Sequence, residues 1–207
     1  VGTLQQSGGD LVLTTNGSGD ATVVNNAAID FGTSSVGGAL SATASAGTIT
    51  QNGGTLTVAG TSAFTTSTAD QAVTLSNTAN ALTGAVSLST SGTAGDVTID
   101  NGTTALGVQG TVSGNLALTS GGAITDSGAL NVSGTTTVTT DVDDITITLG
   151  TLASTGNVIL TTQGTAGDVT IDNGTTALGV QGTVSGNLAL TSGGAITDSG
   201  ALNVSGT

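Results

Sequence analysis

At 207 residues the chain has room for one or two ordinary domains, yet it contains no Lys, Arg, His, Glu, Cys, Pro, Met, Trp or Tyr. All thirteen acids are Asp, and the formal charge of −13 has no cation to offset it, which excludes the basic phosphate contacts that nucleic acids and acidic membrane surfaces require. Zinc and haem sites, phosphate loops and nucleophile–histidine pairs fail for want of their residue types.

Helix is disfavoured throughout, because Gly, Thr, Ser, Val and Asn dominate while Glu, Lys and Arg are absent. Disorder is disfavoured too. Apolar residues make up 36% of the chain and recur in short regular runs. No apolar stretch approaches the ~20 residues of a membrane helix, so no membrane insertion is expected. The start lacks the basic segment and apolar core of a signal peptide.

In chain order, the first elements form a weak repeat. Gly9-Asp-Leu-Val-Leu-Thr-Thr15 answers Gly156-Asn-Val-Ile-Leu-Thr-Thr162, and Gly19-Asp-Ala-Thr-Val23 answers Gly95-Asp-Val-Thr-Ile99. The two Phe, Phe31 and Phe64, are confined to this first unit. Next comes Gly84–Ser91, which differs from Gly156–Gln163 at Ala85/Asn157, Ser87/Ile159, Ser89/Thr161 and Ser91/Gln163 while keeping Val86/Val158, Leu88/Leu160 and Thr90/Thr162. Variation at every second residue marks a strand with one packed and one tolerant face, and puts Ile159 outside. Then Gly92–Thr135 and Gly164–Thr207 carry one identical 44-residue sequence, 72 residues apart. A fixed period of this kind signals stacked repeats.

Within one period the apolar runs are Val97-Thr-Ile99, Leu106-Gly-Val108, Leu116-Ala-Leu118, Ala123-Ile-Thr125, Leu130-Asn-Val132, Thr137-Val-Thr139, Ile145-Thr-Ile147 and Val158-Ile-Leu160. Gly-Gly, Asp-Asn-Gly, Ser-Gly and Thr-Gly separate them, so they read as short strands bounded by turns. Alternation points Val97, Ile99, Leu116, Leu118, Ile124, Leu130 and Val132 inward.

The recurring Gly114-Asn-Leu, Gly156-Asn-Val and Gly186-Asn-Leu openings suggest three coils per 72-residue repeat, over roughly 114–135, 136–155 and 156–185, the last swollen by an insertion. The expectation is therefore an all-β right-handed parallel β-helix of about 20–30-residue coils. It forms one continuous solenoid over residues 1–207, with repeats near 9–83, 84–155 and an incomplete 156–207. At ~4.8 Å per coil the rod is about 40 Å long. Tandem immunoglobulin-like sandwiches are the alternative, weakened by the scarcity of large aromatics. Because the chain starts and stops inside a repeat, it reads as a window of a longer repetitive protein.

The phrase Gly114-Asn-Leu-Ala-Leu-Thr-Ser-Gly-Gly-Ala-Ile-Thr-Asp-Ser-Gly-Ala-Leu-Asn-Val-Ser-Gly134 resembles the coil repeats of filamentous-haemagglutinin-like exoproteins, large bacterial surface adhesins of the two-partner secretion type. The resemblance implies a right-handed parallel β-helix, secretion through an outer-membrane pore, an extracellular or cell-surface location, and a stalk or adhesive role. The amino-terminal secretion domain of that family is not in this sequence.

Candidate chemistry is sparse. Asp96 with Asp100, and Asp168 with Asp172, flank one strand, but their spacing puts the carboxylates about 13 Å apart, too far for a glycosidase pair. They read as strand-ending turn residues. Asp141-Val-Asp-Asp144 is the densest acidic point and the one calcium candidate, although it lacks the spacing of known calcium loops and has only Asp70 as a counterpart one repeat earlier. The Thr run 135–140 raises ice binding, but such a surface needs Thr-x-Thr in every coil. Asn16, Asn101, Asn131, Asn173 and Asn203 sit in glycosylation-type tripeptides.

No catalytic, cofactor or metal residue is assigned. The expected partners are neighbouring coils, copies of the chain itself, and host-surface or matrix carbohydrate or protein. The expected function is a structural or adhesive rod segment of a large secreted bacterial repeat protein. No enzymatic activity is expected; alternatives are a self-assembling filament or surface-layer component stacking end to end, and the non-catalytic part of a carbohydrate-active β-helix protein.

Overall fold

The computed structural model describes residues 3–4 and 8–206; the outermost positions of the expected solenoid span, Val1, Gly2 and Thr207, lie outside them. Among the described residues there is no helix, and every strand pairing is parallel. Short strands ending at Gly, Asn and Asp turns cannot form hairpins here, because each run is separated from its hydrogen-bonding partner by a whole coil. The result is a β-solenoid of about 8 turns of roughly 22 residues. Among the described residues, the paired antiparallel sheets of a sandwich do not occur.

Three lines of strands run along the axis. Face one steps through Ala21, Leu40, Ser62, Val86 and Val108, and continues from Gly110 through Leu130 to Leu152. Face two steps through Ile29, Ile49, Val73, Val97, Leu116, Thr136, Val158 and Val180 without a break. Face three holds Ser34, Leu56 and the strand Ala81–Leu82, then resumes at Leu106 and steps through Ile124, Ile147, Val169 and Leu188. Strand Ile124–Val132 turns a corner, so its first half carries Ile147–Leu149 and its second half Leu152–Ser154.

This register corrects the coil count. Three coils separate Leu106 from Val169, but the residue 72 places before Val169 is Val97, one strand earlier and on face two. Each repeat is thus three coils plus one face. The expected swollen coil over 156–185 is not an insertion: the coil from Val158 to Val180 is ordinary, and Leu188 lies one face further on. The Gly-Asp openings make the drift plain. Gly19-Asp20 leads into face one, Gly95-Asp96 into face two and Gly167-Asp168 into face three. Residues 72 apart are equivalent within their repeat but stand on different sides of the rod.

The core is aliphatic and continuous. Val97, Ile99, Leu116, Leu118, Ile124, Leu130 and Val132 are all buried, as alternation requires. Phe31 and Phe64 are fully buried in the first repeat and pack edge to face with ring centroids 6.4 Å apart. Ile159 points outward beside Thr137 and Gln181 and is half-buried by them rather than free-standing.

The Thr run alternates instead of lining an outer face. Thr137 and Thr139 point out, while Thr136 and Thr140 are fully buried. Thr136 shares a hydrogen bond with Ser154 (3.0 Å), but the Thr140 hydroxyl has no partner. Replacing Thr140 by Val removes an orphaned hydroxyl at nearly constant volume and is expected to stabilise the rod by about 1 kcal/mol. A fall in the denaturant midpoint would contradict this.

Gly110 forms a tight corner with φ 116°, and a Cβ there would collide with the Leu88 backbone carbonyl. Its counterpart Gly182, with φ 126°, sits against Leu160 in the same way. Gly110→Ala combines backbone strain with a clash against rigid main chain and should cost about 2–3 kcal/mol. Equilibrium unfolding of that variant beside Gly107→Ala, where a Cβ meets only side-chain atoms at 3.5 Å or more, separates the effect from glycine loss as such.

Candidate functional site

The polar residues that sequence reading marked for chemistry do not share one site: Asp96, Asp144 and Asp168 are occupied with the next coil, Asp100 and Asp172 with their own turns, and Asp141 and Asp143 are exposed. Asp20, Asp96 and Asp168 each follow a Gly and each turn Oδ1 to a backbone N–H one coil on: Ala39, Asn115 and Asn187, all at 2.7 Å. Asp100 and Asp172 accept from the N–H of Gly102 and Gly174 at 2.9 Å, closing the turn that ends their strands. The paired carboxylates considered for acid–base work therefore hold main chain, each in its own turn.

The acidic point at residues 141–144 separates into unlike parts. Asp144 adopts φ 62° and its Oδ1 accepts two N–H bonds, from Thr165 (2.7 Å) and Ala166 (2.8 Å). Asp70 does the same with φ 62°, accepting from Thr93 (2.7 Å) and Ala94 (2.8 Å). Left-handed Asp is uncommon, and here it lets one oxygen face two successive donors of the coil above. These bonds hold both carboxyls below the ordinary value of 3.8, through Thr93 and then Ala94 for Asp70, and through Thr165 and then Ala166 for Asp144. Asp141 and Asp143 are exposed at the strand end. Among the described residues, no three acidic side chains converge as a cation site would need.

A depressed carboxyl adds stability above its unfolded value, and that stability is lost as pH falls through the folded value. Asp144→Asn should thus lower the melting temperature relative to Asp141→Asn, which removes the same charge without touching these bonds. The gap should be full at neutral pH and close as pH drops below about 3.8. A gap unchanged at pH 2 would mean that the charge on Asp144 contributes nothing.

What sequence reading missed is the structural role of two asparagines that it marked only as glycosylation-type positions. Asn101 is fully buried and its side-chain amide stands in for a strand residue. Its Oδ1 accepts from the Leu82 N–H (2.7 Å), and its Nδ2 donates to the carbonyls of Leu82 (3.2 Å), Thr104 (3.0 Å) and Ala105 (3.0 Å). Asn173 repeats the arrangement on Ser154, with bonds of 2.8 and 3.0 Å, and on Thr176 and Ala177. The amide closes a ladder edge where the backbone of the next coil has swung aside. It also removes Asn101 and Asn173 as glycan acceptors in the folded chain, whereas Asn16, Asn131 and Asn203 are exposed. Buried hydroxyls brace the corners similarly: Thr90 donates to the Gly95 carbonyl (2.8 Å) and accepts from the Ser113 N–H (2.9 Å), and Thr162 does so with Gly167 and Ser185.

Outward Thr119, Thr139, Thr161 and Thr183 form one rank across four coils of face two. The parallel rank reads Thr98, Ala117, Thr137, Ile159 and Gln181, so the regular double row of an ice-binding face is missing from this face.

Three stretches of the chain, residues 18–89, 94–161 and 166–207, match the family described as "Repeats of unknown function (DUF5649)". The chain belongs to this family. The DUF5649 units open at residues 18, 94 and 166, just before the Gly-Asp turns that start on faces one, two and three. No curated protein and no solved structure matches the chain. The corner clamps described above thus recur once per DUF5649 unit, at Asp20, Asp96 and Asp168.

Proposed function

We propose that this DUF5649 array is a stiff stalk or spacer within a large secreted or cell-surface bacterial protein, carrying adhesive or matrix-binding parts away from the surface that anchors it. The observation that carries the reading is the unbroken parallel ladder of face two, from Ile29 to Val180, over a sealed aliphatic core. Backbone hydrogen bonds between coils run along the axis, so tension is shared by many short parallel strands. The Asp side chains support the same reading, because most of those in turns tie one coil to the next instead of converging on a substrate. Absence of Lys and Arg leaves no trypsin-type cleavage residue in the chain, which suits an extracellular stalk. The resemblance to filamentous-haemagglutinin-like exoproteins supports the adhesive and extracellular parts of the proposal.

The test is displacement. One, two or three copies of the chain are placed between a bacterial surface anchor and a fluorescent tip, and tip height is measured. Height should rise in proportion to copy number, by about 4.8 Å per coil. A height independent of copy number would defeat the spacer reading. Cleavage or release of sugars by the purified chain from a polysaccharide panel would replace it with an enzymatic one.

A further inference from the structure

Asn is followed by Gly at four places in the chain, Asn16, Asn52, Asn101 and Asn173. Glycine gives its backbone nitrogen no side-chain shield, so the side-chain carbonyl of such an Asn is open to attack by the nitrogen that follows it. The fold sorts the four pairs into two classes. Asn16 and Asn52 are exposed, and the N–H groups of Gly17 and Gly53 donate no hydrogen bond among the described residues. A Cβ on either glycine would meet nothing within 4 Å, and the Asn52 amide donates to Asp10 at 3.4 Å. Asn101 and Asn173 are fully buried, with both ends of each amide bonded to main chain. The N–H groups of Gly102 and Gly174 are also taken, by Asp100 and Asp172 at 2.9 Å. Nucleophile and leaving group are thus loose in the first class and pinned in the second.

We propose that Asn101 and Asn173 are fold-gated deamidation sites: inert in the closed coil, converted when the coil opens, and unable to close again once converted. In the open coil the Gly102 nitrogen attacks Cγ of Asn101. A C–N bond forms and closes a cyclic imide, the Cγ–Nδ2 bond breaks, and the proton of the Gly102 nitrogen departs with the amine as ammonia. Water then opens the imide at either carbonyl, giving aspartate or iso-aspartate, with nothing oxidised or reduced. The product no longer fits. Where Nδ2 donated to the carbonyls of Leu82, Thr104 and Ala105, a carboxylate oxygen can only accept, at a site with 0% exposure. Iso-aspartate also lengthens the main chain inside the coil. At Asn52 the same reaction leaves an exposed carboxylate that keeps its water, so the rod survives it. Opening of a coil at Asn101 or Asn173 thereby becomes a one-way event, because chemistry traps the open form. The proposal goes beyond the spacer reading, which stands whether or not the chain is modified.

The full chain is incubated in mildly alkaline buffer, with and without denaturing guanidinium chloride, and conversion is followed by mass spectrometry of elastase peptides. Asn16 and Asn52 report in peptides of their own. Asn101 and Asn173 lie in the identical 44-residue sequence and are read together. The denatured sample is then returned to buffer, and its folded fraction is isolated by gel filtration and mapped in the same way. Asn101→Asp and Asn52→Asp, made directly, write each product into a fresh chain for comparison by thermal melting.

In buffer, the pooled Asn101 and Asn173 peptide should convert at least about tenfold more slowly than the Asn52 peptide. In denaturant all four pairs should convert at rates within about threefold of one another. The refolded fraction should carry converted Asn52 at the level of the whole sample and be depleted of converted Asn101 and Asn173. Asn101→Asp should melt at least about 5 °C below Asn52→Asp. Equal conversion of all four pairs in the folded rod would overturn the gate, and no conversion of Asn101 and Asn173 in denaturant would remove the chemistry. Converted Asn101 and Asn173 in the refolded fraction at the level of the whole sample, or equal melting of the two Asp variants, would refute the one-way step.

Discussion

Leu116→Asp is expected to destabilise the rod by about 4 kcal/mol, because it places a carboxylate with no partner in a sealed aliphatic interior. Leu116 is 1% exposed and lies between Val97 and Thr136 in the unbroken ladder of face two, so a carboxylate there is shut off from water, and the neighbouring Thr136 hydroxyl is already engaged with Ser154. Ser87→Asp is the matched control. Ser87 alternates with buried Val86 and Leu88 and lies on the outer side, where a carboxylate keeps its water. Its change should stay within about 0.5 kcal/mol. Urea unfolding followed by circular dichroism measures both, and comparable losses would refute the assignment of faces. In a stacked array the damage spreads through neighbouring interfaces, so unfolding of the Leu116→Asp variant should also become less cooperative.

The second large effect belongs to an amide. Asn101→Ala should cost about 3 kcal/mol, since the Leu82 N–H and C=O would both lose their partner inside the protein while a small cavity opens. The cost should be matched by Asn173→Ala, which strips the N–H and C=O of Ser154, and should be nearly absent in exposed Asn131→Ala. A silent Asn101→Ala would show that backbone or water closes that edge unaided. Asn101→Ser, which keeps a polar group but cannot span both backbone atoms, should recover only part of the loss.

Much of this architecture was written in local alternation. Val86, Leu88 and Thr90 persist while Ser87, Ser89 and Ser91 vary, and the structure buries the first set and turns the second outward. The parallel solenoid followed from the fixed period and the short runs. The coil count did not follow, because Gly156-Asn157-Val158 and Gly186-Asn187-Leu188 look like successive turns of one face. Only hydrogen-bond register distinguishes a long coil from a coil and a third.

The role of Asn101 was equally hidden. In sequence it is one more Asn before Gly, and what singles it out is the missing strand beside Leu82, a property of three-dimensional neighbours. Asp70 and Asp144 were hidden for a related reason. They lie 74 residues apart, outside the 72-residue register, and are united by the left-handed backbone that aims each at a Thr-Ala pair. The turn assignment of Asp96 and Asp100, by contrast, was legible from the strand they bracket.

The extra face in every repeat gives the rod a screw sense at the scale of whole units. Three DUF5649 units open on three different sides, so an outward motif such as the exposed Asn131 and its copy Asn203 is broadcast in successive compass directions. A flat plane pressed against one flank would meet equivalent motifs only at every third unit. Lengthening such an array therefore adds reach faster than it adds valency toward a planar target, whereas a partner that winds round the shaft could engage each unit in turn.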